Sequence, residues 1–208
     1  MKILCMFQKL AITILLLLVV TFVQAQRTAS VSGDWSNNAT WGGADFPTTS
    51  DDVTINSGVI VTVDIASASA ASITFPAHSS SAGITIIGSN VLTVTGAVVM
   101  NAATAASTTT LDVGSGTLNA GSITISGANN ANWINSITIS SGTINCTGNF
   151  TFNSGNQPAS AVLDASAVGA QINIDGNLKY INKEYIYEIK LSNDKNLQYY
   201  TRFTLFEK

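Results

Sequence analysis

Ile73-Thr74-Phe75, Val98-Val99-Met100, Ile123-Thr124-Ile125, Phe150-Thr151-Phe152 and Leu178-Lys179-Tyr180 are one short pattern written five times. The triplets start at positions 73, 98, 123, 150 and 178, so they step by 25, 25, 27 and 28 residues. A fixed period in this range marks a solenoid, in which each repeat buries its apolar face only against its neighbours. Two further series keep phase with the first. One is Val53-Thr54-Ile55, Ile84-Thr85-Ile86, Leu111-Asp112-Val113, Ile137-Thr138-Ile139 and Val162-Leu163-Asp164. The other is Val61-Thr62-Val63, Leu92-Thr93-Val94, Leu118-Asn119-Ala120, Ile144-Asn145-Cys146 and Ile172-Asn173-Ile174. Most triplets read apolar, polar, apolar, which is period two with the outer two side chains turned inward.

Short Gly/Ser/Asn links such as Gly88-Ser89-Asn90 and Gly114-Ser115-Gly116 separate these strands, and Gly96, Gly121, Gly148 and Gly176 mark a further bend. The recurrence of glycine at that bend predicts a tight corner with positive φ. Three short strands per turn, stacked in parallel, make an all-β chain: a single-stranded right-handed parallel β-helix of five coils, about 24 Å tall at the usual strand spacing. An antiparallel sandwich also has short, regular strands, but it does not require the same turn residues in the same phase every 25 to 28 residues.

Around this body the chain divides at residues 1–25, 26–52, 53–180 and 181–208. The first segment reads as a signal peptide. Lys2 and Lys9 precede an apolar run from Leu10 to Val23, and Val23-Gln24-Ala25 suits cleavage before Gln26. The run is too short and wrongly flanked for a membrane span, an uncleaved anchor being the alternative, and no span is expected after cleavage. Residues 26–52 read as an N-terminal cap bringing Trp35, Trp41, Phe46 and Pro47 over the open end of the solenoid. Residues 181–208 are rich in Tyr and Lys and read either as a capping hairpin or as sequence foreign to the solenoid.

Between Thr28 and Leu178 there is no Lys, Arg or Glu, and the acids are all Asp. Such a surface offers nothing to phosphate, which excludes nucleic acid and an anionic membrane as partners. Cleavage leaves Cys146 as the only thiol, so no intrachain disulfide is expected. It sits at an inward position and is expected to be buried.

An enzyme on this fold would be a polysaccharide lyase or hydrolase. A lyase needs a base, and the coils hold no Lys or Arg before Lys179. A hydrolase needs paired carboxylates, yet the residues that match Asp112 in its series are Thr85, Thr138 and Leu163. No catalytic residue and no cofactor is assigned. Asp51-Asp52 is the one acidic pair, a weak candidate for calcium and more simply a turn at the entry to the first coil. His78, the only histidine, reads as a solvated loop residue. Thr62, Thr93, Asn119, Asn145 and Asn173 form a structural ladder of stacked polar side chains. The absence of a paired Thr-x-Thr row argues against ice binding. Trp35, Trp41 and Trp133 are the candidate sugar-stacking residues, although for the first two covering the core is the simpler role. The links Pro76–Gly83, Asn101–Thr110, Ser126–Ser136 and Asn153–Ala161 vary in length and sequence, as the functional edge of a solenoid does.

The order Gly33-Asp34-Trp35, Ala39-Thr40-Trp41, Phe46-Pro47-Thr48, Asp51 to Ile55, Gly58 and Val61-Thr62-Val63 resembles the opening module of β-helical surface proteins exported by the type IX secretion route. More loosely it is similar to the G8 module of extracellular proteins. The resemblance covers about Ser32 to Ile65. It implies an extracellular or cell-surface protein of a Gram-negative bacterium, adhesive or carbohydrate-associated, with no fixed catalytic residues. Those proteins commonly end in a β-sandwich sorting domain. Nothing after Tyr180 reads as one, which leaves the periplasm as the other destination. The expected function is a secreted, non-catalytic β-helix scaffold or adhesin-type surface module, with glycans or cell-surface proteins as partners. The alternative is a carbohydrate-binding module.

Overall fold

The structure, a computed structural model, describes residues 25–153, 160–181 and 188–191. Residues 1–24 of the expected signal segment lie outside the described residues, as do Pro158 and the expected hairpin from Tyr185 to Phe206 apart from Glu188–Leu191. The described chain is a parallel β-solenoid of about six turns. Its first turn holds β1 (Ala25–Ala29) and β2 (Gly33–Asp34), and its second β3 (Asp51–Ile55), β4 (Ile60–Val63) and β5 (Ser67–Ala70). The third holds β6 (Ser72–Phe75), β7 (Ala82–Ile86) and the first half of β8 (Val91–Met100). The second half of β8 opens the fourth, followed by β9 (Thr108–Gly114) and the first half of β10 (Thr117–Ser126). The rest of β10, with β11 (Ile134–Ile139) and β12 (Thr143–Cys146), makes the fifth. β13 (Phe150–Asn153), β14 (Ala161–Ala165) and β15 (Gln171–Ile174) make the sixth, and β16 (Leu178–Ile181) and β17 (Glu188–Leu191) open a seventh.

Every ladder between these strands is parallel, and the strands join into a 10-stranded and a 7-stranded sheet. The larger sheet carries two faces of the prism, because β8 and β10 run through the corner between them without breaking. Inward residues fill the interior as the triplets predict. Ile73, Val98, Ile123 and Phe150 stack in one column, and Phe75, Met100, Ile125 and Phe152 in the next, all essentially without exposure. Phe150 and Phe152 stack with ring centroids 5.3 Å apart. Cys146 lies between Ala120 and Ile174 in its column and is buried.

Three features depart from the sequence reading. First, the number of turns is about six rather than five, and the phase of the first coils differs. Val53 pairs with Ile73 rather than with Ile84, and Val61 pairs with Ile84 rather than with Leu92. The strand beneath Leu92 is β5, a Ser/Ala segment, through Ala68. β1 and β2 then stack below β3 and β4. Second, Ile137 pairs with Leu163 and Thr138 with Asp164, so the sixth-turn triplet is Leu163-Asp164-Ala165. This one-residue slip turns Val162 outward and Leu163 into the core. Third, the corner glycines are not there for positive φ. That conformation falls on Gly42, Gly43, Gly58, Gly88, Gly114 and Gly169. At Gly121 a Cβ would lie 2.7 Å from the carbonyl oxygen of Gly96, and at Gly148 2.5 Å from that of Gly121. The corner backbones ride directly on one another, and only hydrogen fits between them.

At the far end Glu188–Leu191 pairs in parallel with Val162–Ala165, continuing the 7-stranded sheet. Among the described residues no helix is long and apolar enough to cross a membrane.

Candidate functional site

The N-terminal segment shows first where the tryptophans go. After β2 the chain bends through a 3-10 turn, Asn38–Trp41, whose start is capped by the Asn37 side chain accepting from the Ala39 N–H at 3.0 Å. Gly42, at φ 68°, ends it. The turn folds Trp41 back against Trp35 in an edge-on contact, centroids 5.1 Å apart. Trp41 Nε1 donates to the Trp35 carbonyl at 2.8 Å. Trp35 is 0% and Trp41 4% exposed. Neither ring offers a face to a sugar, so the candidate stacking role of these two residues is withdrawn; they plug the end of the core. Phe46, by contrast, is exposed.

The acidic pair divides for a reason built into a strand: consecutive side chains point to opposite faces. Asp51 is buried, accepts from the Thr48 N–H at 2.8 Å and hydroxyl at 2.6 Å, and faces Arg27 Nε at 3.5 Å. Asp52 turns outward and accepts from the Ser72 hydroxyl. The two carboxylates cannot converge on one cation, so the calcium candidate fails, and Asp51 instead ties the first turn to the second. Among the described residues no group of three His, Cys, Asp or Glu is placed to hold a metal ion.

The polar ladder is present with one change of member. Asn119 Nδ2 donates to the Thr93 hydroxyl at 3.3 Å, Asn145 Nδ2 to Asn119 Oδ1 at 2.9 Å, and Asn173 Nδ2 to Asn145 Oδ1 at 2.8 Å. The rung below Thr93 is Ser69, not Thr62. Thr62 belongs to the adjacent face, where the outward column reads Asp34, Thr62, Thr85, Asp112, Thr138 and Asp164. The slip at Leu163 thus brings Asp164 into the column that already holds Asp34 and Asp112. Two strand spacings, about 10 Å, separate Asp112 from Asp164, and Thr138 lies between them. Asp112 accepts from the Gly114 N–H and the Thr138 hydroxyl, both at 3.0 Å, and Asp164 from the N–H and hydroxyl of Ser166. Asp64, at the next corner, feels burial pushing its pKa up, but the Ser36 hydroxyl and N–H donate to it and bring the net shift below the ordinary value.

The corrected phase gives the 10-stranded sheet an outward column of Thr28, Thr54, Thr74, Val99, Thr124 and Thr151, ending at Lys179. Beside it run Asp52 and Ser72, then Ala97 and Ser122. These two faces present hydroxyls and amides with almost no charge.

The variable links occupy the edge between β6 and β7, β8 and β9, and β10 and β11. They are better filled than their composition suggests. His78, Ala103, Ser107, Ala128 and Ser160 are buried there. His78, read from sequence as a solvated residue, is 1% exposed. Asn135 holds the stack together, its Nδ2 donating to the carbonyls of Asn101 at 2.9 Å and Ser126 at 2.7 Å. Trp133 lies on the same edge, half-buried, its backbone N–H donating to the Asn130 carbonyl. Of the three tryptophans it alone is not fully buried. No protein-family model matches the chain, and no curated protein or solved structure matches it.

Proposed function

We propose that this chain is a non-catalytic extracellular scaffold, an adhesin-type surface module that holds its loop edge at fixed spacing. One observation carries the reading. The outward side chains of the large sheet are short, nearly uncharged, and in the Asn ladder hydrogen-bonded to one another from coil to coil. Such a surface is stiff and already satisfied, which suits a support. The signal-like start and the resemblance of Ser32 to Ile65 to exported surface modules support placement outside the cell. Antibody labelling of intact cells that produce the full chain tests the placement: labelling without permeabilisation is the expected result. Labelling only after the outer membrane is opened rejects it. Release of reducing sugars from polysaccharides by the purified chain would end the non-catalytic reading.

A second reading, carbohydrate binding, is favoured by one position. Trp133 combines an aromatic ring, partial exposure and a place on the variable edge. A glycan array with the native chain and Trp133→Ala separates the readings. Binding that Trp133→Ala abolishes supports this one, and a blank array supports the scaffold alone.

A further inference from the structure

His78 sits in the link between β6 and β7, enclosed by the solenoid on one side and by the next link on the other. Its backbone carbonyl accepts from the N–H of Thr104 at 2.8 Å and from the Thr104 hydroxyl at 3.1 Å. On the opposite side, the N–H groups of Ser79 and Ser80 donate to the Ser57 hydroxyl at 3.1 and 2.9 Å. The segment is therefore latched to the turn below and to the turn above, with the imidazole folded beneath it. Nδ1 lies 3.3 Å from the Pro76 carbonyl. With the proton on Nδ1, that contact is a hydrogen bond and Nε2 is a bare lone pair, which the neutral ring tolerates. Nε2 is buried and has no partner.

Protonation changes this balance. Nε2 then becomes a donor with nothing to receive it, on a cation removed from water, and a buried unpaired charge is far costlier than a buried neutral ring. Among the described residues no carboxylate is placed to offset it. Between Ile65 and Leu111, His78 is the only ionisable side chain. The packed neighbours Asn56–Val59, Asn101–Ser107 and the starts of β7 and β9 carry none. The flanking acids are engaged elsewhere: Asp52 with Ser72, Asp64 with Ser36, and Asp112 with Gly114 and Thr138.

We propose that His78 is an acid-sensitive latch of the loop edge: when its ring takes up a proton, the Pro76–Gly83 segment leaves the solenoid and releases Thr104 above it. Burial holds the pKa of His78 below its ordinary value of 6.5, against the smaller upward pull of the Pro76 carbonyl. The open segment, with the ring in water, takes up the proton at about the ordinary value. The closed state thus keeps its full stability above about pH 6.5 and loses it as pH falls from there toward the lowered value.

The test uses the single histidine as its own reporter. The imidazole resonance of the full chain is titrated by NMR, and amide hydrogen exchange is followed over the same range, each rate referenced to its intrinsic rate at that pH. Protection at Ser79, Ser80 and Thr104 is expected to fall about tenfold per pH unit below about 6.5 until the lowered pKa is reached. Ile125 and Ile144, within the sheets, should keep theirs. His78→Gln should remove the pH dependence at the latch amides. An imidazole titrating at or above its ordinary value overturns the proposal. So does unchanged latch protection across the range, equal loss of protection at the sheet amides, or the same acid response in His78→Gln. If His78→Gln fails to fold, the wild-type titration and the contrast between latch and sheet amides decide alone.

Discussion

Gly121→Ala adds one methyl group at the corner shared by two faces of the large sheet, and it should destabilise the fold by crowding rather than by backbone conformation. The new Cβ would lie 2.5 Å from the Thr95 carbonyl oxygen and 2.7 Å from that of Gly96. Both are backbone atoms of the turn below, so no side chain can rotate away, and the turns themselves must part. Overpacking of this kind costs about 1–3 kcal/mol. In a chain of this size each kcal/mol lowers the thermal midpoint by about 2–4 °C. Gly88 is the control. Its φ is +60° and nothing lies within 4 Å of a built Cβ, so its requirement is conformational, and Asn adopts that region far better than most residues. Gly88→Asn should therefore fold with nearly unchanged stability, whereas Gly121→Asn should be at least as damaging as Gly121→Ala. Urea and thermal melts of the purified chain, followed by circular dichroism, make the comparison. A Gly121→Ala protein as stable as wild type would refute the close stacking of corner backbones.

Other consequences follow from particular side chains. Asn145→Ala removes the donor to Asn119 and the acceptor for Asn173, and should cost about 1–2 kcal/mol for two half-exposed hydrogen bonds; an unchanged urea midpoint would show that water replaces the ladder. Trp35→Ala should cost about 3–5 kcal/mol. Because its indole N–H has no partner, Trp35→Phe should cost much less, and equal losses would argue for a missed polar contact. Cys146 is buried, and burial raises its thiol pKa, so a thiol reagent should label it only as fast as the protein opens; rapid labelling at neutral pH contradicts its place in the core.

The turn from Ile84 onward was legible because apolar, polar, apolar triplets recur with bends in phase, and the structure keeps those registers through β15 and β16, with the one-residue slip at β14 as the exception. The start was not legible, for a physical reason. Val53-Thr54-Ile55, Ile73-Thr74-Phe75 and Ile84-Thr85-Ile86 bury the same kind of surface, so the pattern cannot say which stacks on which; only the path of the backbone does. Ser67–Ala70 escaped notice because alanine suffices inward where the turn is narrow, and a Ser/Ala strand carries no hydrophobic signal. The slip at Leu163 arose where Val162-Leu163-Asp164 and Leu163-Asp164-Ala165 both satisfy period two. At the candidate sites, sequence proposed an acidic pair that the alternation of a strand divides and a histidine in solvent that link-on-link stacking encloses. Trp133 remained where its loop put it. The burial of His78 had no local signal, since it depends on Thr104, a residue in another turn.

Among the described residues, neighbouring turns are joined by hydrogen bonds such as Ser72 to Asp52, Asn145 to Asn119 and Asn173 to Asn145, between residues 20, 26 and 28 positions apart in the chain. Pulled from its two ends, the molecule would not bear load across the whole stack at once. One terminal turn would peel away while the others stayed intact. Each release would lengthen the chain by about 90 Å, the extended length of one turn. Tension would therefore be met by a series of small yields at nearly constant force, and whatever the remaining turns hold out on their loops would stay in place until its own turn gives way.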